Sequence, residues 1–235
     1  MFTNLKFQLG VSALLVALMA GVAQPNFAAP AAAPEFDSPE QAAAALYTAI
    51  RKGDKPTIVQ LIGPLADSGD SARDTSDRDL FLLKYAEMHR LVNTSDGNMT
   101  LYIGAENWPF PVPLVSNGGK WHFDTETGAR EIVFRSIGEN ETSAIDTCRA
   151  IAQEGTAAAV PAQEPSHGYY FRLTHTPSGN VVVAYPSQYG STGVMTFAAT
   201  ANGKVYEKNL GPKTEARARA ITEYKPDRTW LVANQ

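Results

Sequence analysis

The chain has 235 residues, of which 20 are Lys or Arg and 24 are Asp or Glu, so its formal net charge is −4. This mildly acidic balance, without a stripe of basic residues, argues against nucleic acid as a partner. The hydrophobic fraction of 44% is typical of a globular protein and excludes wholesale disorder, and the single cysteine, Cys148, excludes an internal disulfide.

The N-terminus has the three parts of an export signal. Lys6 gives a short positive start, Val11–Val22 is an uninterrupted apolar run, and Ala29-Pro30-Ala31 is an A-x-A cleavage site, with Ala31-Ala32-Ala33 as the alternative. The apolar run is shorter than the roughly 20 residues that span a bilayer, so a cleaved signal is favoured over a membrane anchor. We therefore expect residues 1–31 to be a signal peptide, no membrane span after cleavage, and a periplasmic or secreted protein.

The first half of the mature chain, residues 36–153, is predicted to combine helices with a curved antiparallel hairpin. Ser38, Pro39 and Gln41 mark a capped helix start, and Gly53 marks its end. Downstream patterns predict helices at Pro56–Ile62 and Asp79–Leu91, a loop at Ala66–Asp79, strands at Met99–Gly104, Val112–Ser116 and Lys120–Asp124, and helices at Thr125–Ser136 and Glu139–Gln153.

The second half, residues 167–235, is predicted to be a small antiparallel sheet with a closing helix. The Ala-rich segment Glu154–Glu164 has no pattern, so we place a linker at 154–166 and a domain boundary there. The predicted elements are strands at Gly168–Thr174, Asn180–Tyr185, Gly193–Thr200 and Lys204–Lys208, a helix at Pro212–Thr222 and a final strand at Thr229–Val232. The fold class predicted for the whole chain is α+β.

Six ordered segments resemble the bacterial domain-of-unknown-function 2950 family, whose members are exported. These segments are Asn107–Pro113, Trp121–Asp124, Ile137–Glu141, His167–Phe171, Tyr189–Phe197 and Val205–Gly211. The resemblance extends from about Phe36 to Trp230. It implies export from a bacterial cell but no reaction, so it supplies no catalytic residue. Family members usually carry a longer segment between the two halves, and this chain has only the linker.

Each half also resembles a broader fold. The helices and curved hairpin of the first half resemble the cystatin-like cone of the nuclear-transport-factor superfamily. The second half resembles the β-rich heads of pilins and pseudopilins, through Tyr170-Phe171, Ala184–Pro186 and Gly193–Phe197. Fold likeness of this kind assigns no function.

The sequence contains no strong catalytic, cofactor or metal motif. Phosphate-loop and dinucleotide fingerprints are missing, and Gly190–Gly193 lacks the spacing of a nucleophile elbow. Cys148 shares a helical face with Ala144 and Ile151, which favours a buried thiol over a reactive one. The scattered histidines predict no metal site and no cofactor, and they are His89, His122, His167 and His175.

Trp108 and Phe110 are candidate ligand-binding residues. They lie in Glu106-Asn107-Trp108-Pro109-Phe110-Pro111, where the prolines cannot continue a central strand. The segment could form a pocket rim that presents both rings to a ligand. The alternative, which we favour, is a hydrophobic plug over the first core.

His122 and Asp124 are weak candidates for general acid–base catalysis. Two residues apart on a strand, they would face the same side. If that side were the interior of a cone, a small-molecule hydrolase or isomerase would be conceivable. The alternation of Trp121 and Phe123 with this pair favours the opposite arrangement, in which the aromatic rings face the core.

Tyr169 and Tyr170 place aromatic rings on both faces of the second sheet, where they could bind a partner or a glycan or pack within the protein. The sequence therefore favours a non-enzymatic binding or envelope-structural module, with an envelope protein, a glycan or a small molecule as partner. The hydrolase or isomerase is the alternative.

Overall fold

The computed structural model describes residues 33–64, 71–155, 164–176, 179–221 and 227–233. The predicted signal peptide and most of the predicted linker lie outside these ranges. The helices are α1 Pro39–Lys52, α2 Lys55–Ile62, α3 Ser71–Glu87, α4 Thr125–Glu154 and α5 Thr214–Arg219. The strands are β1 His89–Asn93, β2 Met99–Ile103, β3 Trp108–Pro109, β4 Leu114–Asn117, β5 Lys120–Phe123, β6 Tyr169–Thr176, β7 Gly179–Pro186, β8 Thr196–Thr200, β9 Val205–Lys208 and β10 Leu231–Val232.

Helix α1 begins and ends as its sequence predicts. The Ser38 hydroxyl accepts a hydrogen bond from the N–H of Gln41, 3.3 Å away, and Pro39 occupies the first turn. Gly53 ends the helix with a φ of 67°, a conformation that costs a glycine little. The apolar stripe of α1 packs into the first core.

Helix α3 begins earlier than predicted. The loop prediction for Ala66–Asp79 is wrong from Ser71 onward, while residues 65–70 are outside the described ranges. Residues 75–80 are all exposed, so this part of the helix shows no apolar periodicity and its Asp, Ser and Thr residues mimic a loop. The helix also ends earlier, at Glu87, and His89 starts β1, a strand that the sequence analysis missed.

The first sheet has the order β1-β2-β4-β5, and β3 pairs with β2. The β4–β5 hairpin is confirmed, with Gly118 and Gly119 at φ 59° and 83° in its turn. One face of this sheet covers the first core against α1, α2 and α3. That core includes Leu46, Leu61, Phe81, Leu101, Phe110, Leu114 and Phe123.

Helix α4 is one continuous helix of 30 residues, where two segments were predicted. The residues left between the two predicted segments, Ile137 and Gly138, lie inside the helix, although glycine is a poor helix former. Near its N-terminus, Gly128 of α4 approaches Val112, which lies in the segment between β3 and β4 and belongs to the first core. The C-terminal part of α4 packs on the second sheet through Ala144, Cys148 and Ile151.

The second sheet is an antiparallel meander with the order β10-β9-β8-β7-β6. Helix α4 covers one face and the short helix α5 covers the other. Helix α5, strand β8 and strand β10 are all shorter than predicted. The α+β class is confirmed, and the domain boundary in the linker stays a prediction, although α4, which precedes the linker, packs into the core of the second half. Within the described ranges, no helix has the length and apolarity needed to cross a membrane.

Candidate functional site

Trp108 projects from the rim of the first sheet, and its side chain is 44% exposed. Its backbone is held in β3, where Trp108 pairs with Ile103 and Pro109 pairs with Tyr102. The Phe110 ring lies 6.3 Å from the indole in an edge-to-face arrangement, but Phe110 itself is buried among Phe81 and Phe123. Phe110 therefore supports Trp108 from the core, and Trp108 alone reaches the surface.

Arg135 of α4 fixes the indole from the helix side. Its guanidinium carbon lies 5.2 Å from the centre of the Trp108 ring. Its Nη1 donates a hydrogen bond of 2.8 Å to the carbonyl oxygen of Pro109, and its Nε donates one of 2.7 Å to Glu131. A guanidinium with three different partners has little rotamer freedom left, so the Trp108 ring is held in a preformed orientation.

The turn that precedes Trp108 is also constrained. Asn107 has a φ of 55°, a left-handed conformation uncommon outside glycine. Its Oδ1 accepts a hydrogen bond of 3.0 Å from Nε of Arg90, and its N–H donates one of 3.0 Å to the carbonyl of Gly104. The Gly104 N–H in turn donates to Lys84 and Met88 at the end of α3. Backbone strain that the surroundings maintain is often found at binding sites, because it orients the neighbouring side chain.

A shallow depression lies along α4 next to this rim. Its lining comes from one helix face and consists of Arg135, Gly138, Glu139, Thr142 and Ser143. We call it the α4 depression. Arg135 belongs to both features, so the indole and the depression are contiguous. The lining carries a guanidinium, a carboxylate and two hydroxyls, which together donate and accept hydrogen bonds.

His122 and Asp124 do not form a catalytic pair in this geometry. Strand β5 ends at Phe123, and Asp124 is the N-cap of α4, where its two oxygens accept hydrogen bonds from the N–H and the hydroxyl of Thr127 at 3.0 and 2.7 Å. The His122 Nδ1 is buried without a hydrogen-bond partner. Trp121 and Phe123 belong to the first core or pack against it, as the alternation favours, but His122 and Asp124 are half-buried and do not face open water.

Tyr169 and Tyr170 are both engaged within the protein. Tyr169 is fully buried, and its hydroxyl donates a hydrogen bond of 3.0 Å to the carbonyl of Met195. Burial raises the pKa of its phenol, and the nearby Glu141 carboxylate adds to this shift. Tyr170 is half-buried against the ring of Tyr185, 5.6 Å away. We therefore retain neither tyrosine in the candidate binding surface.

Cys148 is fully buried in the second core, and burial raises the pKa of its thiol, which therefore stays protonated. Among the described residues no group of His, Cys, Asp and Glu side chains is arranged to hold a metal ion.

Sequence reasoning missed Arg135 as a site residue, because its partner Trp108 is distant in the chain. The spacing of Glu131 and Arg135, four residues apart on a helix, was the one local signal that Arg135 would be oriented. Sequence reasoning also left Gly138 outside the two predicted helices and did not consider it as part of a surface.

One family model matches the chain, described as a protein of unknown function (DUF2950), over residues 34–157 and 150–232. No curated protein and no solved structure matches the chain. The resemblances to cystatin-like cones and to pilin heads therefore stay predictions.

Proposed function

Since the chain belongs to the DUF2950 family, which brings no established activity, we propose a function from its own surface. We propose that it is an exported, non-enzymatic binding or envelope-structural module of a bacterial periplasm or cell surface. Its binding surface is the Trp108 rim, defined as Trp108, Arg135 and the α4 depression. Export follows from the N-terminal pattern at residues 1–31.

One observation carries the binding proposal: a large aromatic ring is exposed and yet rigidly held. Leaving an indole 44% exposed forgoes burial of apolar area that would stabilise the fold. The stack on Arg135 and the strained turn at Asn107 orient this ring instead of covering it. Tryptophan and arginine are the residue types most enriched at binding hot spots, because they offer large contact areas and directional hydrogen bonds.

The hydrolase or isomerase alternative has less support. Both carboxylate oxygens of Asp124 are occupied by the helix cap, and no hydrogen bond joins Asp124 to His122. The hydrolase or isomerase function stays a prediction, and an activity screen of the purified protein would test it.

A thermal-shift screen of the mature chain, starting at Ala32, tests the proposal against metabolites, glycans, peptides and metal ions. A ligand present at 100 times its dissociation constant adds about 2.7 kcal/mol to the free energy of unfolding, which shifts the melting temperature clearly. Trp108→Ala should abolish the shift, and Leu231→Ala, which truncates an exposed side chain on β10, should leave it intact. A ligand whose shift survives Trp108→Ala, or no ligand in any class, would refute the proposed surface.

A further inference from the structure

We infer that the Trp108 rim binds a neutral carbohydrate, with a pyranose ring stacked on Trp108 and its hydroxyls bonded along the α4 depression. The inference rests on the proposed function and names its ligand class. It draws on three features: the stacked indole, the lining of the depression and an unexplained glycine.

The first feature is the indole. The Arg135 guanidinium lies over one face of the Trp108 ring, 5.2 Å from its centre, and Trp108 remains 44% exposed. A pyranose ring presents a face of C–H groups. The hydrogens of these groups carry a small positive charge, which is attracted to the negative face of an aromatic ring. The exposed part of the indole therefore suits the apolar face of a sugar.

The second feature is the polar lining of the α4 depression. The hydroxyl of Thr142 donates to the carbonyl of Gly138, 2.9 Å away, which leaves its lone pairs free to accept. Within the described part of the chain, the Glu139 carboxylate and the Ser143 hydroxyl make no hydrogen bond to the protein. From Arg135 to Ser143 the helix rises by about 12 Å, which gives room for a short oligosaccharide.

The charges at the depression favour a neutral ligand. Arg135 is paired with Glu131 at 2.7 Å, and Glu139 adds a second carboxylate to the lining. An anionic sugar would meet two carboxylates for one guanidinium.

The third feature is Gly138. Glycine inside a helix lowers stability relative to alanine, so it is usually explained by a close neighbour. A Cβ atom at Gly138 would meet nothing within 4 Å, in contrast to Gly128, where it would meet Val112 at 2.7 Å. No contact within the described chain explains Gly138, and a ligand lying against the bare backbone of α4 would.

Titration calorimetry of the mature protein with chito-, cello- and malto-oligosaccharides tests the inference, with an oligogalacturonate as the anionic probe. We expect binding of at least one neutral series and none of the oligogalacturonate. Trp108→Ala should abolish the binding. Gly138→Ala should weaken it by about tenfold or more while raising the melting temperature of the free protein by about 2 to 4 °C. Leu231→Ala, the exposed control on β10, should leave the affinity unchanged.

The outcomes separate this inference from the proposed function. Binding of a peptide or a metabolite that is lost on Trp108→Ala, with no neutral sugar bound, would overturn the carbohydrate and leave the proposed surface standing. Sugar binding that survives both Trp108→Ala and Gly138→Ala would overturn the placement. Failure of every ligand class would refute both.

Discussion

Glu141 on α4 accepts a hydrogen bond of 2.9 Å from the backbone N–H of Met195, across 54 residues of sequence. The same oxygen accepts a second bond of 2.8 Å from the N–H of Val194. One residue earlier on the helix, Asn140 donates to the carbonyl of Thr192 at 3.0 Å. Two of the segments that carry the family resemblance, Ile137–Glu141 and Tyr189–Phe197, therefore meet where α4 holds the loop before β8.

This contact predicts that Glu141→Ala destabilises the protein by about 2 to 3 kcal/mol, because it leaves two partly buried N–H groups without an acceptor. Glu141→Gln, which keeps one amide oxygen but loses the charge, should cost about half as much. Urea denaturation measures both. Glu139→Ala, on an exposed neighbour, should change stability by no more than about 0.5 kcal/mol. Equal effects at positions 139 and 141 would contradict the role of Glu141.

The packing of Gly128 against Val112 predicts that Gly128→Ala lowers stability despite alanine's better helix propensity. The added Cβ would lie 2.7 Å from a methyl of Val112, which is overpacking that costs about 1 to 3 kcal/mol. In a double-mutant cycle, Val112→Ala removes the clashing methyls, so the pair should cost less than the sum of the two single variants. Additive costs would show that α4 and Val112 do not touch there.

The helix cap predicts a pH-dependent cost for Asp124→Ala. Burial raises the pKa of Asp124, but the hydrogen bonds from Thr127 outweigh that effect, so its pKa lies below the ordinary value. A carboxyl with a depressed pKa stabilises the fold above the unfolded-state pKa, near 4, and this contribution disappears as the pH falls through the lower folded-state value.

Asp124→Ala should therefore cost about 1 to 2 kcal/mol at pH 7, with a smaller cost in strong acid, and Asp124→Asn should keep much of the cap. Unfolding curves across this pH range provide the measurement, and Glu126→Gln, on an exposed neighbour, serves as the control. A cost for Asp124→Ala that does not change with pH would rule out the ionised cap.

Glu207 on β9 provides a prediction of the opposite sign. Burial raises its pKa, and the charge of Glu141 adds to the shift. An acid with a raised folded-state pKa stays protonated to a higher pH in the folded protein than in the unfolded chain. Its contribution to stability is therefore favourable at low pH and is lost as the pH rises through the folded-state pKa. Glu207→Gln should therefore raise the urea midpoint at pH 7 and give no gain near pH 3. A gain that persists at low pH would point to packing as the cause. Glu139→Gln is the exposed control.

Much of the fold follows from local signals in the sequence. The cap at Ser38 and the turn at Gly118 and Gly119 each act within a few residues, where propensity and hydrogen bonding decide the conformation. The α+β class, which follows from such signals, is confirmed, and so is the family that the six segments resemble. The sequence by itself offered Trp108 as a residue that a ligand could contact, although it favoured a hydrophobic plug over the first core.

Only the tertiary structure decided which side chains meet. The exposed start of α3 lacks an apolar stripe, so it has no strong local helix pattern. The edge strand β1 is held by its hydrogen bonds to β2, so it has no strong local strand pattern either. The stack of Arg135 on Trp108 joins α4 to β3, and the bonds of Glu141 join α4 to the loop before β8. Such contacts form between segments far apart in the chain, and their energies depend on packing geometry that no window of sequence contains.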